Sequence, residues 1–180
     1  MQGLTICTPT SISYTGTNAV INDDGSVSFT ATSDLGIDGV FSATYNDYLI
    51  LYRAVWNTTI STVAQMTMRA GGVNDTSGTW YQPYWGAYGS SLEASANDGL
   101  TAVYPGIVAN VQQNGSAIYL LGPYETNGTS YFSTATIGQD GARIRDYAGN
   151  QNSATSWDGF RFRPGANSFT GKITVYGFTK

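Results

Sequence analysis

The stretch Trp157–Lys180, WDGFRFRPGANSFTGKITVYGFTK, decides the fold. In Phe160-Arg161-Phe162-Arg163 a period of two places both phenyl rings on one face and both guanidinium groups on the other, the pattern of a half-buried antiparallel strand. Pro164-Gly165-Ala166-Asn167 then breaks the run, and Lys172-Ile173-Thr174-Val175-Tyr176-Gly177-Phe178 alternates again. Phe160, Phe162, Ile173 and Val175 are therefore expected in a core, with Arg161 and Arg163 facing outward.

Working outward from this ending, the same reading repeats. Val27, Phe29 and Ala31 alternate with Ser28, Thr30 and Thr32 after the turn Asn22-Asp23-Asp24-Gly25. Tyr45-Asn46-Asp47 reads as a turn, and Tyr48–Trp56 after it is apolar on both faces, which predicts a central strand covered on each side. Further strands are predicted at Val63–Arg69, Thr79–Trp85, Ala117–Leu121, Tyr131–Ile137 and Ala142–Tyr147. Gly71-Gly72, Asn74-Asp75, Gly122-Pro123 and Gly138-Gln139-Asp140-Gly141 punctuate them. Ser90–Asp98 fits a short helical turn or a strand equally well. So many short strands predict an all-β, antiparallel sandwich of jelly-roll type. Residues 1–20 are polar and β-prone with Pro9 early, and read as an extended N-terminal arm and attachment segment or as a first strand; residues 21–180 read as a single sandwich domain. No repeat or heptad appears.

Composition narrows the function. Only 11% of residues are charged, against 13% aromatic. A formal charge of −4 argues against a nucleic-acid partner, whose phosphates need several Lys or Arg side chains. Cys7 is the one cysteine, so no intrachain disulfide can form, and it reads as a small buried residue. No basic start followed by an apolar run opens the sequence, and no window approaches about 18 apolar residues, so neither export by such a signal nor membrane insertion is expected. The four Asn-x-Ser/Thr triplets, at Asn57, Asn74, Asn114 and Asn127, follow from an Asn- and Thr-rich composition.

There is no histidine, which removes Ser-His, Cys-His and His-metal chemistry. Paired carboxylates would be needed for glycoside hydrolysis, yet only Glu93 and Glu125 exist and most aspartates sit beside Gly or Asn in turns. No catalytic residues are expected, and no phosphate-binding glycine loop or other cofactor motif is present. Asp23, Asp24, Asp34 and Asp38 match no dedicated cation loop and read as turn carboxylates, so no metal is expected. Two constellations remain. Trp80-Tyr81-Gln82-Pro83-Tyr84-Trp85-Gly86-Ala87-Tyr88 carries five aromatics; on a strand Trp80, Tyr84 and Tyr88 face one way while Tyr81 and Trp85 face the other, serving core, subunit interface or a glycan platform. Arg143, Arg145, Arg161 and Arg163 form two Arg-x-Arg pairs, which make a basic patch if their strands are neighbours and a solvated outer face otherwise.

The closing Tyr176-Gly177-Phe178, the Tyr48 strand preceded by Tyr45-Asn46-Asp47, and Arg145-Asp146-Tyr147 together resemble a β-sandwich domain of tailed-bacteriophage virion surface proteins, over Val40–Lys180. That resemblance implies a jelly-roll-like sandwich, homotrimeric assembly, other virion proteins of the capsid or tail as partners, and a place on the particle surface after synthesis in the host cytoplasm. A shaft, usual in fibres, is missing, which favours a small non-enzymatic subunit decorating the head or a head fibre. A tail fibre or tail tip protein that binds a host surface glycan is the alternative, with a polysaccharide hydrolase behind both.

Overall fold

The computed structural model describes residues 3–57, 62–77, 80–88, 90–108, 113–137, 143–165 and 167–179. Among these the chain is all β, with fourteen strands and no helix: β1 (Leu4–Ile6), β2 (Ser11–Ile21), β3 (Val27–Asp38), β4 (Tyr45–Trp56), β5 (Thr62–Ala70), β6 (Val73–Asn74), β7 (Trp80–Tyr88), β8 (Ser91–Leu100), β9 (Val103–Val108), β10 (Gln113–Leu121), β11 (Thr129–Ile137), β12 (Arg143–Gln151), β13 (Gly159–Pro164) and β14 (Phe169–Thr179). Hydrogen bonding runs antiparallel through the order β6-β5-β13-β3-β14-β4-β10-β11-β12-β7-β8, with β1 on β14, β2 on β3 and β9 on β5.

One bent strand turns this continuous sheet into two layers. The first half of β3 pairs with β14 at Val27–Thr32, and its second half pairs with β13 at Leu35–Ile37. Towards the end of the first half Ala31 takes a positive φ of 46°, and the β2–β3 register slips between Thr15 and Gly16, where Gly16 has φ 145° and a side chain would collide with the Ala31–Thr32 backbone. An inserted residue of this kind bends a strand and increases its twist. The consequence is visible in the core: the Tyr52 and Phe162 rings lie 4.8 Å apart although β4 and β13 are three strand steps apart, about 14 Å in a flat sheet. The small layer, β6-β5-β13 with the end of β3 and with β9, therefore lies over the large one.

The core is apolar where the layers meet. Phe29, Phe41, Tyr48, Trp56, Phe160, Phe162 and Phe169 are all buried and meet ring to ring in two groups, Phe41 with Tyr48 and Phe160, and Phe169 with Phe29, Trp56 and Phe162. Phe160, Phe162, Ile173 and Val175 are inside, with Arg161 and Arg163 half-exposed outside, as alternation requires. Towards β11, β12 and β7 the interior turns polar. Gln82 of β7 donates to the Tyr104 carbonyl at 2.9 Å and accepts from its amide at 3.1 Å, and Ser116 donates to the Pro105 carbonyl at 2.9 Å, so β9 is tied across by side chains standing in for a ladder.

One open reading closes and two expectations change. Ser91–Leu100 is a strand, since it pairs with β7 along its length. Tyr45-Asn46-Asp47 belongs to β4 and is no turn, because β14 extends far enough to pair with it. β4 is central in the sheet but has a covering layer on one face: Tyr48, Ile50, Tyr52, Ala54 and Trp56 are buried there, whereas on the opposite face Leu49 is buried among its neighbours and Leu51 is 40% exposed. Residues 4–6 and 11–20 of the expected arm are extended and lie against the domain, β1 in register with Phe178–Tyr176 and β2 along β3. The expected turn at Gly138–Gly141 lies outside the described residues.

Candidate functional site

Because side chains alternate, the register of the large layer assigns every residue of β14, β4, β10, β11, β12, β7 and β8 to an inner or an outer face. On the outer face, Leu49, Tyr119, Phe132 and Ala148 form one cross-strand row, and Leu51, Ala117, Thr134, Asp146, Trp85 and Ala94 form the next. Leu121, Ser130, Asn150 and Tyr81 follow on the other side. Among the described residues no second layer of strands lies over this surface, although Leu49 itself is buried between its neighbours. Leu51, Tyr119, Leu121 and Phe132 are all 40% exposed or more, and the Tyr119 ring stacks on Phe178 at 6.0 Å. Charges stand towards its margins: Lys172 and Arg53 pair across β14 and β4 at one end, and Asp47 lies at the other.

The aromatic segment divides as alternation predicts. Trp80 is fully buried, its ring 5.7 Å from Tyr131, and Tyr84 faces inward, 5.6 Å from Tyr147. Tyr81 and Trp85 face outward. The Tyr88 side chain lies outside the described residues. One segment thus supplies both core and surface.

The four arginines are not brought together. β12 pairs with β11 and β7 in the large layer while β13 pairs with β3 and β5 in the small one, so the strands that carry the two Arg-x-Arg pairs are not neighbours. Arg161 donates through Nε to Asp34 at 2.7 Å, and Arg163 to Gln65 at 2.6 Å, both on the outside of the small layer. Arg145 points inward instead. Its Nη2 donates to Glu93 at 2.6 Å, Nε donates to the other carboxylate oxygen, and the guanidinium lies 4.5 Å above the Tyr84 ring. Burial pulls the Arg145 guanidinium down, and Glu93 and the Tyr147 hydroxyl together more than offset this, leaving it above its ordinary range. The Arg143 side chain lies outside the described residues.

The Arg145–Glu93 pair spans three strands, and a glycine makes that span passable: Arg145, Gly86 and Glu93 stand in register across β12, β7 and β8. Gly86→Val should wedge an isopropyl group between the charges and loosen the terminal strand β8. Hydrogen exchange should show β8 amides losing protection while β4 and β14 keep theirs; unchanged β8 protection would mean that the ladder alone holds the edge.

Several of the carboxylates are held in ion pairs of the fold. Glu93 is paired with Arg145 and Glu125 sits in the exposed turn after β10. Asp24 meets Lys172, Asp34 meets Arg161 and Asp38 meets Arg69. Among the described residues no three His, Cys, Asp or Glu side chains gather to hold a metal ion, and no helix is long and apolar enough to cross a membrane. Burial raises the thiol of Cys7 and the hydroxyls of Tyr52 and Tyr131, none of which lines a reactive cluster.

No protein-family model matches the sequence, and none of the curated proteins matches it. Among solved structures the chain is similar to domain 4 of AbnA, a GH43 extracellular arabinanase from Geobacillus stearothermophilus in complex with arabinotriose, at 13% identity over 98% of this chain and 84% of that one, TM-score 0.37. It is also similar to the SPRY domain of human HERC1, at 10% identity over 97% and 98% of the two chains, TM-score 0.36. A third is the CBM2 module of the evolved Dit of Lactobacillus casei BL23 phage J-1, at 9% identity over 99% and 98%, TM-score 0.33. TM-scores this low leave the fold resting on the strand pairing itself.

Sequence reasoning missed the outer face as a unit. Its residues come from separate strands, and only the register shows that Leu51, Tyr119 and Phe132 lie side by side. One signal was present: the two-sided apolarity of Tyr48–Trp56, which in this fold has a covering layer on one side only.

Proposed function

We propose that the protein is a non-enzymatic structural subunit of a tailed-phage particle, decorating the head or a head fibre as a homotrimer, and that it attaches through the outer face of β14, β4, β10 and β11. The observation that carries this reading is the uncovered apolar field of Leu51, Tyr119, Leu121, Phe132 and Phe178. Its residues come from four neighbouring strands, a width of about 19 Å, and exposed apolar side chains grouped in this way are a frequent mark of a binding site. An apolar centre with charges towards the margin is also the anatomy of a protein interface. The phage context rests on the sequence resemblance through Tyr48, Arg145-Asp146-Tyr147 and the Tyr176-Gly177-Phe178 ending. Attachment falls to this face because β1 and β2 already pair within the chain.

Phe132→Asp tests it. The ring is 42% exposed, so its replacement should leave the unfolding temperature within a few degrees of wild type, yet the variant should be lost from purified particles and should run as a monomer in light scattering. Normal incorporation of Phe132→Asp, or a particle map that places this face towards solvent, sinks the reading.

A further inference from the structure

The half of the outer face built by β12, β7 and β8 differs in chemistry from the apolar half. Tyr81 and Trp85 are 46% and 49% exposed, and the outward position between them is Pro83. Across the ladder Trp85 stands opposite Asp146 and Tyr81 opposite Asn150. Each exposed ring therefore has beside it a side chain that hydrogen-bonds to hydroxyls. Asp146 accepts from the Thr134 hydroxyl at 2.8 Å through Oδ1, and among the described residues it has no cationic partner. Ala148 lies between Asp146 and Asn150 on the same face, and Ala94 and Ala96 continue it onto β8, so the floor beside the rings is low and flat.

We propose that this ribbon binds a neutral, extended oligosaccharide, with one sugar ring on Trp85 held through Asp146 and a second, farther along the same glycan, on Tyr81 held through Asn150. A pyranose has a face of C–H bonds and a rim of hydroxyls. An indole or phenol ring takes the face, a carboxylate accepts from neighbouring hydroxyls, and a primary amide both donates and accepts. Four residues separate the two rings along β7, about 13 Å, which exceeds one sugar ring and selects a chain over a monosaccharide. The unpaired Asp146 and the net charge of −4 select against an anionic glycan. This site goes beyond the structural role and does not depend on it, since it uses other residues and holds for a head or a tail location alike.

Three of the four tryptophans, Trp56, Trp80 and Trp157, are 0%, 0% and 4% exposed, so acrylamide quenching of the intrinsic fluorescence reports Trp85. The full-length protein is titrated with dextran, mixed-linkage β-glucan and galactomannan as neutral probes and with polygalacturonate as the anionic one, followed by quenching and by native electrophoresis in gels containing each polymer. At least one neutral polymer should retard the protein and shield Trp85, while glucose, galactose and mannose should not. Trp85→Ala should weaken retardation about tenfold or more, and Tyr81→Ala and Asp146→Ala several-fold, all with wild-type unfolding curves. Leu92→Ala, on the exposed neighbouring strand, should change nothing. The proposal is overturned if no neutral polymer shields Trp85, if binding survives both Trp85→Ala and Tyr81→Ala, or if polygalacturonate is preferred.

Discussion

Phe162→Ala is expected to destabilise the protein by about 3–5 kcal/mol, measured as the shift in a urea unfolding curve, while Arg163→Ala beside it costs little. The Phe162 ring is 1% exposed and meets Tyr52 at 4.8 Å from the large layer and Phe169 at 5.7 Å from the end of β14. It is the contact through which the small layer sits on the large one. Truncation removes the transfer free energy of the ring and leaves a cavity bounded by three strands that cannot all collapse into it. Arg163 faces outward with one hydrogen bond, to Gln65, which water replaces. A near-neutral Phe162→Ala would mean that the layers are held elsewhere, and a costly Arg163→Ala would invert the register of β13.

The contrast between these two neighbours was readable from sequence because alternation is local. Phe160-Arg161-Phe162-Arg163 contains its own inside and outside, and the same holds for Trp80 to Trp85, where Trp80 and Tyr84 face in while Tyr81 and Trp85 face out. Strand pairing is not local. Nothing in the residues of β12 and β13 says that they belong to different layers, so the four arginines could not be placed relative to one another. Nor does Glu93, in a segment that reads as turn or strand, announce that it meets Arg145, fifty-two residues on. Residues 11–20 read as an arm or a first strand alike, because their outer positions are polar, which is what an edge strand exposed over most of its length also looks like. The platform of Tyr81 and Trp85 was half legible: the rings and their alternation lie in the sequence, but the Asp146 and Asn150 beside them come from the β7–β12 register alone.

The same distinction between local pattern and long-range assembly governs the charges, and it leads to the second large effect. Arg69 is 7% exposed at the end of β5, and its guanidinium lies against Gly36, where a Cβ would come within 2.9 Å of Cζ. It donates to Asp38 at 2.7 and 3.2 Å, to Asn74 at 2.7 Å and to the Gly72 carbonyl at 2.6 Å, joining β5, the turn into β6 and the end of β3. Two charges this far from water gain from each other only while both are present. Asp38→Ala leaves the guanidinium buried without its counter-charge and should cost about 3–5 kcal/mol in the same urea experiment. Replacing both, Arg69→Met with Asp38→Leu, should recover most of that loss, because the penalty belongs to the orphaned charge and not to the missing pair. The exposed pair Lys172–Asp24, with side chains 49% and 55% accessible, serves as the control, and Asp24→Ala should leave the transition essentially in place. If Asp38→Ala and Asp24→Ala behave alike, water reaches Arg69 freely and the small layer is more open at this end than its packing indicates.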